Sequence, residues 1–309
     1  MKKVLVAGAT GGMGRALVTR FLETGFEVTA FARKLDLLET EESINLNRIR
    51  GDMLNKEELL EAAQGMDMLV HAVSFTYAEW EEKHPKALNH LIQASKETGA
   101  GIVLIDNVYA YGRQDQPVSE SSPKQPHTKK GKIRLGMEEE LIASGVPWMV
   151  VHLPDLYGPY ATNTILFHTL EQIATGKSGN FVGPMNVPRE FVYTQDAASA
   201  IVELILSEGA FNQHWNIPSI HPISGDELVR LIQEETGYHK KVRSVPPFMI
   251  KAMGIFQPFM REVVEMLYLT TDPIYLNGDK VDRVLPDRRR TSYQKGMKET
   301  ISWIQSRQG

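Results

Sequence analysis

A short apolar strand followed by evenly spaced glycines opens the chain and constrains its fold more than any other feature. The run Val4–Ala7 is followed by Gly8, Gly11 and Gly14, three residues apart. In a turn from a buried strand into a helix, the first glycine permits the tight bend, the second lets backbone amides approach a pyrophosphate, and the third lets the helix pack against the strand. The helix N-terminus then faces the anion. The segment predicts a dinucleotide site with contacts from Gly8, Thr10, Gly11, Gly12, Met13 and Gly14.

Strand-like and helical segments alternate over the first 150 residues. We expect strands at Val4–Ala7, Glu27–Ala32, Asn47–Gly51, Leu69–Val73, Ile102–Asp106 and Trp148–Leu153. We expect helices at Gly12–Thr24, Lys56–Gly65, Tyr77–Thr98 and Lys132–Ser144. Such alternation produces a parallel sheet with helices on both faces. The sequence therefore predicts an α/β Rossmann fold with a doubly wound parallel sheet.

The alternation becomes irregular after Pro159. We expect residues 1–160, joined by residues 188–207, to form the Rossmann domain, and residues 161–187 and 208–309 to form a smaller, partly interleaved substrate domain. Met and aromatic side chains near the C-terminus either line an apolar substrate pocket or pack against the sheet domain or a partner subunit. These side chains are Phe248, Met249, Met253, Phe256, Phe259, Met260, Met266 and Tyr268.

The charge balance and the residue types that are missing exclude several classes of protein. With 34 Lys and Arg against 38 Asp and Glu, the chain lacks the basic excess that a phosphate backbone requires, so we expect no nucleic-acid partner. No apolar run approaches the length of a membrane span, and Val4–Ala7 is too short for a signal peptide. We therefore expect a cytoplasmic protein that does not contact a membrane. The absence of cysteine and the scattered histidines predict no disulfide, no thiol nucleophile and no metal site.

Two basic residues at the end of the second predicted strand bear on the choice of cofactor. An acidic residue there would bind the ribose 2′-hydroxyl of NAD, whereas this chain has Arg33 and Lys34, which can pair with the 2′-phosphate of NADP. Asp52, after the third strand, either accepts a hydrogen bond from the adenine amino group or is a turn residue. The sequence favours NADP(H), with NAD as the alternative.

Several ordered motifs resemble the extended short-chain dehydrogenase/reductase superfamily. Besides the glycine segment they are Gly51–Met53, His71–Ser74, Tyr111–Gly112, Leu156–Pro159, Arg189–Ala197 and Asp282–Trp303. Within the superfamily the chain is most similar to the NAD-dependent epimerase/dehydratase group, which contains nucleotide-sugar epimerases, dehydratases and atypical reductases. The resemblance covers nearly the whole chain and adds three expected cofactor contacts, Met53, Ala72 and Val73.

The resemblance also implies a catalytic set that this chain does not carry. The family uses a Ser or Thr after the fifth strand, then a Tyr and a Lys in a YxxxK helix, where Tyr exchanges a proton with the substrate oxygen. Matching Tyr111–Gly112 to the family places Asn107 at the Ser position. Matching Glu138 to the family's helix glutamate places Arg134 at the Lys position and Lys130 at the Tyr position.

These replacements still permit chemistry. Asn107 can donate to a carbonyl, and Arg134 can bind ribose hydroxyls but cannot release a proton near neutrality. Lys130 could be the proton donor because the charge of Arg134, four residues away, favours proton release. The alternative is a basic helix start in solvent. Tyr109 and Tyr157 are reserve proton donors.

Three functions are compatible with this pattern. The leading hypothesis is an oxidoreductase that transfers hydride from NADPH to a small carbonyl or an activated alkene. A nucleotide-sugar epimerase or dehydratase is weaker because it needs a strong base where tyrosine is missing. A dinucleotide-binding redox sensor without turnover is the third.

A homodimer is also expected from the resemblance, through the helices Tyr77–Thr98 and Lys132–Ser144. Apolar residues with suitable spacing on these helices are Leu88, Leu91, Ile92, Ile133, Met137 and Leu141.

Overall fold

A seven-stranded parallel sheet forms the centre of the fold in the computed structural model. The structure describes residues 2–38, 43–256 and 263–307, with the side chains of 252–256 excepted. Its strands are β1 (Lys3–Ala7), β2 (Glu27–Ala32), β3 (Leu46–Arg50), β4 (Met68–His71), β5 (Gly101–Asn107), β6 (Trp148–Leu153), β7 (Asp155–Tyr157), β8 (Gly179–Val182), β9 (Phe191–Tyr193), β10 (Gln213–Asn216) and β11 (Val242–Val245). The order in the central sheet is β10-β6-β5-β4-β1-β2-β3.

Helices cover both faces of this sheet. The helices of the described residues are α1 (Gly12–Glu23), α2 (Lys56–Ala62), α3 (Trp80–Thr98), α4 (Lys129–Ala143), α5 (Ile165–Ala174), α6 (Thr194–Leu206), α7 (Gly225–Thr236), α8 (Pro247–Phe256), α9 (Asp279–Val284) and α10 (Tyr293–Ser306), of which α1, α2, α3, α4 and α6 cover the sheet. Alternate residues of β1 belong to different apolar clusters, Val4 and Val6 with α1 and α6, Leu5 and Ala7 with α2, α3 and α4. Both faces of the strand are therefore buried, as in a doubly wound sheet. The predicted fold class is confirmed.

The seventh strand comes from a part of the chain that the sequence assigned to the smaller domain. Residues 213–216 form β10, which pairs with β6 at the sheet edge. His214 and Asn216 give this short strand no apolar alternation, and only the burial of Trp215 in the first cluster reveals its place. The domain bounds stay a prediction, while residues 213–216 pair with the central sheet.

Most of the remaining C-terminal elements surround a separate apolar cluster. Two small parallel pairs, β7 with β9 and β8 with β11, accompany α5, α7 and α10 there. Of the Met- and aromatic-rich stretch, Phe248 and Met249 are exposed, whereas Met266 and Tyr268 are buried. The side chains of Met253, Phe256, Phe259 and Met260 lie outside the described residues.

The apolar residues that were expected at a dimer interface pack inside the single chain. Helices α3 and α4 pack together, and Leu88, Leu91, Ile92, Met137 and Leu141 are buried in the second cluster. Ile133 is partly buried against the same cluster. The homodimer stays a prediction, and these side chains do not provide its surface. None of the described helices has the length and apolar character needed to cross a membrane.

Candidate functional site

The three glycines of the first turn are required for different reasons. Gly8 has a φ of +86°, and a Cβ there would lie 2.6 Å from the Ala72 carbonyl oxygen. A Cβ on Gly14 would lie 2.1 Å from the Gly8 carbonyl oxygen. A Cβ on Gly11 would meet that same oxygen at 3.4 Å, an ordinary contact. Packing within the chain thus demands glycine at the first and third positions, while the second leaves a cradle that a close ligand would fill.

Helix α1 presents its positive end to this cradle. Its N-cap is Gly11, which has no capping side chain, and its first turn contains no acidic residue. The first amides of a helix have no partner inside the helix and attract anions. The glycine turn therefore fits a pyrophosphate.

A cavity of about 490 Å³ runs along the carboxyl ends of the strands from this turn. One end is lined by Arg33, Lys34, Asp52 and Met53. Arg33 and Lys34 are exposed and make no ion pair with the described residues. The Oδ1 atom of Asp52 accepts from the Leu54 amide at 3.0 Å, so this carboxylate also shapes the turn.

At the opposite end of the cavity lie Asn107 and Arg134. Asn107 ends β5, and its Oδ1 accepts from the Tyr109 amide at 2.9 Å, which caps the short helical turn Val108–Tyr111. Because the carbonyl oxygen is engaged in the cap, the NH₂ group of Asn107 is the part available to a ligand.

Arg134 forms the centre of a buried polar cluster. Its guanidinium lies 3.4 Å from Asp106 Oδ1, 3.4 Å from His84 Nε2 and 4.5 Å from the Trp80 ring centre. Arg134 Nε and Asp106 Oδ2 have no hydrogen-bond partner among the described residues. Buried polar atoms without hydrogen bonds destabilise a fold, so these atoms are suited to bind hydroxyl groups of a ligand or water.

Protonation in this cluster is set by burial. Burial, helped by the Arg134 charge, lowers the pKa of His71 to about 4 and lowers that of His84 further. Burial raises the pKa of the Asp106 carboxyl, whereas the charge of Arg134 lowers it. The two histidines are therefore neutral at neutral pH, and Arg134 carries the positive charge of this end of the cavity.

Lys130 is directed elsewhere. It is 1% exposed, and its Nζ and its backbone amide both donate to the Glu265 carboxylate, at 2.9 and 3.0 Å. Thr128 accepts from the Gly131 amide at 3.0 Å, so α4 begins before Lys130 and holds it in the interior. Lys130 is thus not a solvated helix start, and it does not line the cavity that holds Asn107 and Arg134.

Residues 4–217 match the model of the NAD dependent epimerase/dehydratase family. The chain belongs to this family. One protein that is similar to this chain is sterol demethylase protein B of Methylococcus capsulatus, which is 22% identical over 82% of this chain and 80% of that protein. Another is the dTDP-6-deoxy-L-talose 4-dehydrogenase (NAD(P)(+)) of Kitasatospora kifunensis, 25% identical over 79% of this chain and 82% of that protein.

Solved structures show the same fold. The UDP-glucuronic acid 4-epimerase of Bacillus cereus in complex with NAD has a TM-score of 0.81 at 16% identity, over 99% of this chain and 100% of that one. The dTDP-glucose 4,6-dehydratase of Bacillus anthracis in complex with NAD has a TM-score of 0.82 at 17% identity, over 99% and 97% of the two chains.

Within the epimerase/dehydratase fold, the expected cofactor contacts come together around one cavity. Gly8, Thr10, Gly11, Gly12, Met13, Arg33, Lys34, Asp52, Met53, Ala72 and Val73 line it, and Gly14 lies behind the turn. Of the expected catalytic residues, Asn107 and Arg134 meet there and Lys130 does not. Among the described residues no group of three or more His, Asp or Glu has the arrangement of a metal site.

The sequence did not single out Tyr77, Asp155 or Arg189 for a role, and it gave Tyr109 only a reserve role. Tyr77, Tyr109, Asp155 and Arg189 lie close to the carboxyl ends of β4, β5 and β6 or at the start of β9. The rule that ligands bind at the carboxyl ends of parallel strands points to the first three. The other reserve donor, Tyr157, is 2% exposed and packs against Tyr193 and Tyr293.

Proposed function

We propose that the protein is an NADPH-dependent reductase of a small carbonyl compound or an activated alkene. The observation that carries the proposal is one continuous cavity with Arg33 and Lys34 at one end and the Asn107 amide and Arg134 at the other. Hydrogen-bond donors at the second end suit the negative oxygen that forms after hydride addition. A dinucleotide bound along the cavity would supply the hydride.

Each end of the cavity has a separate task in this proposal. The amides at the start of α1 hold the pyrophosphate, and Arg33 with Lys34 pairs with the 2′-phosphate. Arg134 donates to ribose hydroxyls, and the Asn107 NH₂ group donates to the substrate oxygen. Lys130, bound to Glu265 outside the cavity lining, keeps a positive charge nearby rather than performing the proton transfer expected from the sequence.

The test is NADPH oxidation with a panel of small aldehydes, ketones and unsaturated carbonyl compounds. The matched variant is Asn107→Asp, because it keeps the acceptor that caps Val108–Tyr111 and removes the NH₂ donor. We expect kcat to fall roughly 10²-fold, as for a lost oxyanion donor, with NADPH affinity nearly unchanged. Unchanged turnover in this variant would remove Asn107 from the site. NADPH binding without oxidation of any compound would favour the sensor.

A second candidate, a nucleotide-sugar epimerase or dehydratase, is favoured by Arg189. This guanidinium is buried between the Phe181 and Phe191 rings, 4.4 and 5.3 Å from their centres. Its Nε has no hydrogen-bond partner, and no carboxylate lies within ion-pair distance among the described residues. A buried charge of this kind calls for an anionic partner, which the diphosphate of a nucleotide sugar would provide. Conversion of UDP- or dTDP-sugars with no net NADPH consumption would decide for this candidate.

A further inference from the structure

Two tyrosine hydroxyls face each other beside the Asn107 end of the cavity. The Tyr77 and Tyr109 oxygens are 3.0 Å apart. Tyr77 follows the cavity-lining Phe75 by two residues, and Tyr109 follows Asn107 by two residues. The pair therefore lies at the carboxyl edge of the sheet, close in sequence to the lining residues Phe75 and Asn107.

The tyrosine pair is partly buried. Both side chains keep some accessible surface, and burial raises the pKa of Tyr77 and raises that of Tyr109 well above its ordinary value. The Asp155 charge also raises the pKa of both tyrosines. Both hydroxyls are therefore protonated at neutral pH.

Positive charges lie behind the two phenol rings. Lys130 Nζ is 4.9 Å from the centre of the Tyr77 ring. The Arg134 guanidinium lies over Trp80, whose ring centre is 6.0 Å from that of Tyr109 and 5.1 Å from that of Tyr77. Arg134 lowers the pKa of both hydroxyls against the effect of burial. A phenolate formed at this place would thus be compensated by Arg134, whereas Lys130 is paired with Glu265, whose charge raises the pKa of Tyr77.

We propose that Tyr109 donates the proton to the substrate oxygen and that Tyr77 returns a proton to Tyr109. The proposal rests on the reductase function proposed above. As hydride adds to the carbonyl carbon, the C=O π electrons move to the oxygen, and NADPH becomes NADP⁺. The Tyr109 O–H bond breaks, and its proton forms the O–H bond of the alcohol. The Tyr77 hydroxyl proton then passes to the Tyr109 oxygen, and a proton from solvent replaces it at the partly exposed Tyr77 side chain.

The environment of the pair suits proton donation. An alkoxide is a stronger base than a phenolate, so it takes the proton even from a buried tyrosine. Burial raises the pKa of both hydroxyls, so they hold their protons at neutral pH, which is the form that a general acid requires.

Tyr109→Phe and Tyr77→Phe test the assignment, with Tyr238→Phe as the matched control. The Tyr238 hydroxyl donates to the Lys177 carbonyl at 2.8 Å in the C-terminal part, away from the cavity. For reduction of the aldehyde and ketone panel we expect Tyr109→Phe to lower kcat by roughly 10²- to 10⁴-fold, the range of a lost general acid. Tyr77→Phe lowers it by roughly 10-fold, and Tyr238→Phe leaves it unchanged. NADPH affinity stays at the wild-type value in all three.

A second readout separates proton donation from a structural effect. Turnover of Tyr109→Phe rises with the concentration of a small buffer acid such as imidazolium, whereas wild-type turnover does not respond. Wild-type kcat in Tyr109→Phe, or a loss in that variant that buffer acid does not restore, overturns this inference alone. A wild-type protein that binds NADPH but reduces none of the panel overturns the proposed function together with the inference.

Discussion

Replacing Gly11 by Ala separates cofactor binding from folding. The new Cβ would be 3.4 Å from the Gly8 carbonyl oxygen, and the φ of −74° suits any residue, so the chain itself accommodates the methyl group. The methyl group instead occupies the cradle at the start of α1. Losing two charge-assisted hydrogen bonds from amides to the pyrophosphate costs about 3 to 6 kcal/mol. We therefore expect the Kd for NADPH to rise by roughly 10²- to 10⁴-fold.

Two further glycine variants make the comparison decisive. Gly14→Ala places a Cβ 2.1 Å from backbone and should lower Tm by several degrees or prevent folding. Gly136→Ala, on the exposed side of α4 with no atom near its Cβ, should stabilise the protein by about 0.5 to 1 kcal/mol and leave binding unchanged. Calorimetric titration gives Kd and scanning fluorimetry gives Tm. A Gly11→Ala variant that binds NADPH within about 3-fold of the wild type would refute the reasoning on the cradle.

Three more predictions address the cofactor, the pH dependence and the assembly. Arg33→Ala should weaken NADPH by about 1 to 3 kcal/mol and leave NADH unaffected in a titration, whereas equal losses for both would place Arg33 away from the 2′-phosphate. Burial raises the pKa of Glu190 to about 7 from 4.5, so the folded state holds this proton more tightly than the unfolded chain. The free energy of unfolding should therefore fall by up to about 3 kcal/mol as the pH rises from about 4.5 to about 7, a slope that denaturant titrations should find removed in Glu190→Gln. Light scattering at micromolar concentration tests the homodimer, and a monomer mass would contradict it.

The strands of the sheet can be predicted from the sequence because the apolar residues of each strand indicate that it is buried. The six predicted strands of the first half are found with shifts of a few residues at most, since β-branched runs between helical segments mark strands buried on both faces. β10 was missed because His214 and Asn216 belong to a buried polar network. Glu138 Oε2 lies 2.9 Å from His214 Nε2, and Asn216 Nδ2 donates to the Val118 carbonyl at 2.8 Å. Pairing across the fold, rather than local pattern, determines that strand.

The Asn107 end of the cavity shows why sequence spacing alone does not locate a proton donor. Arg134 and Lys130 lie one helical turn apart on α4, and the sequence placed both beside the nicotinamide. In the structure the carboxylate of Glu265, from a distant part of the chain, binds Lys130 and draws it away from the cavity. The tyrosine pair was equally hidden, because Tyr77 and Tyr109 are separated by 32 residues and meet only through the sheet.

We propose that the cavity, whose lining includes Arg33 and Lys34, takes NADPH in preference to NADH because these two residues pair with the 2′-phosphate. Titration of the wild-type protein with each nucleotide under identical salt and pH tests this most directly. We expect NADPH to bind at least 10-fold more tightly, because pairing with the additional phosphate contributes about 1.5 to 3 kcal/mol. Equal affinities, or tighter binding of NADH, would contradict it.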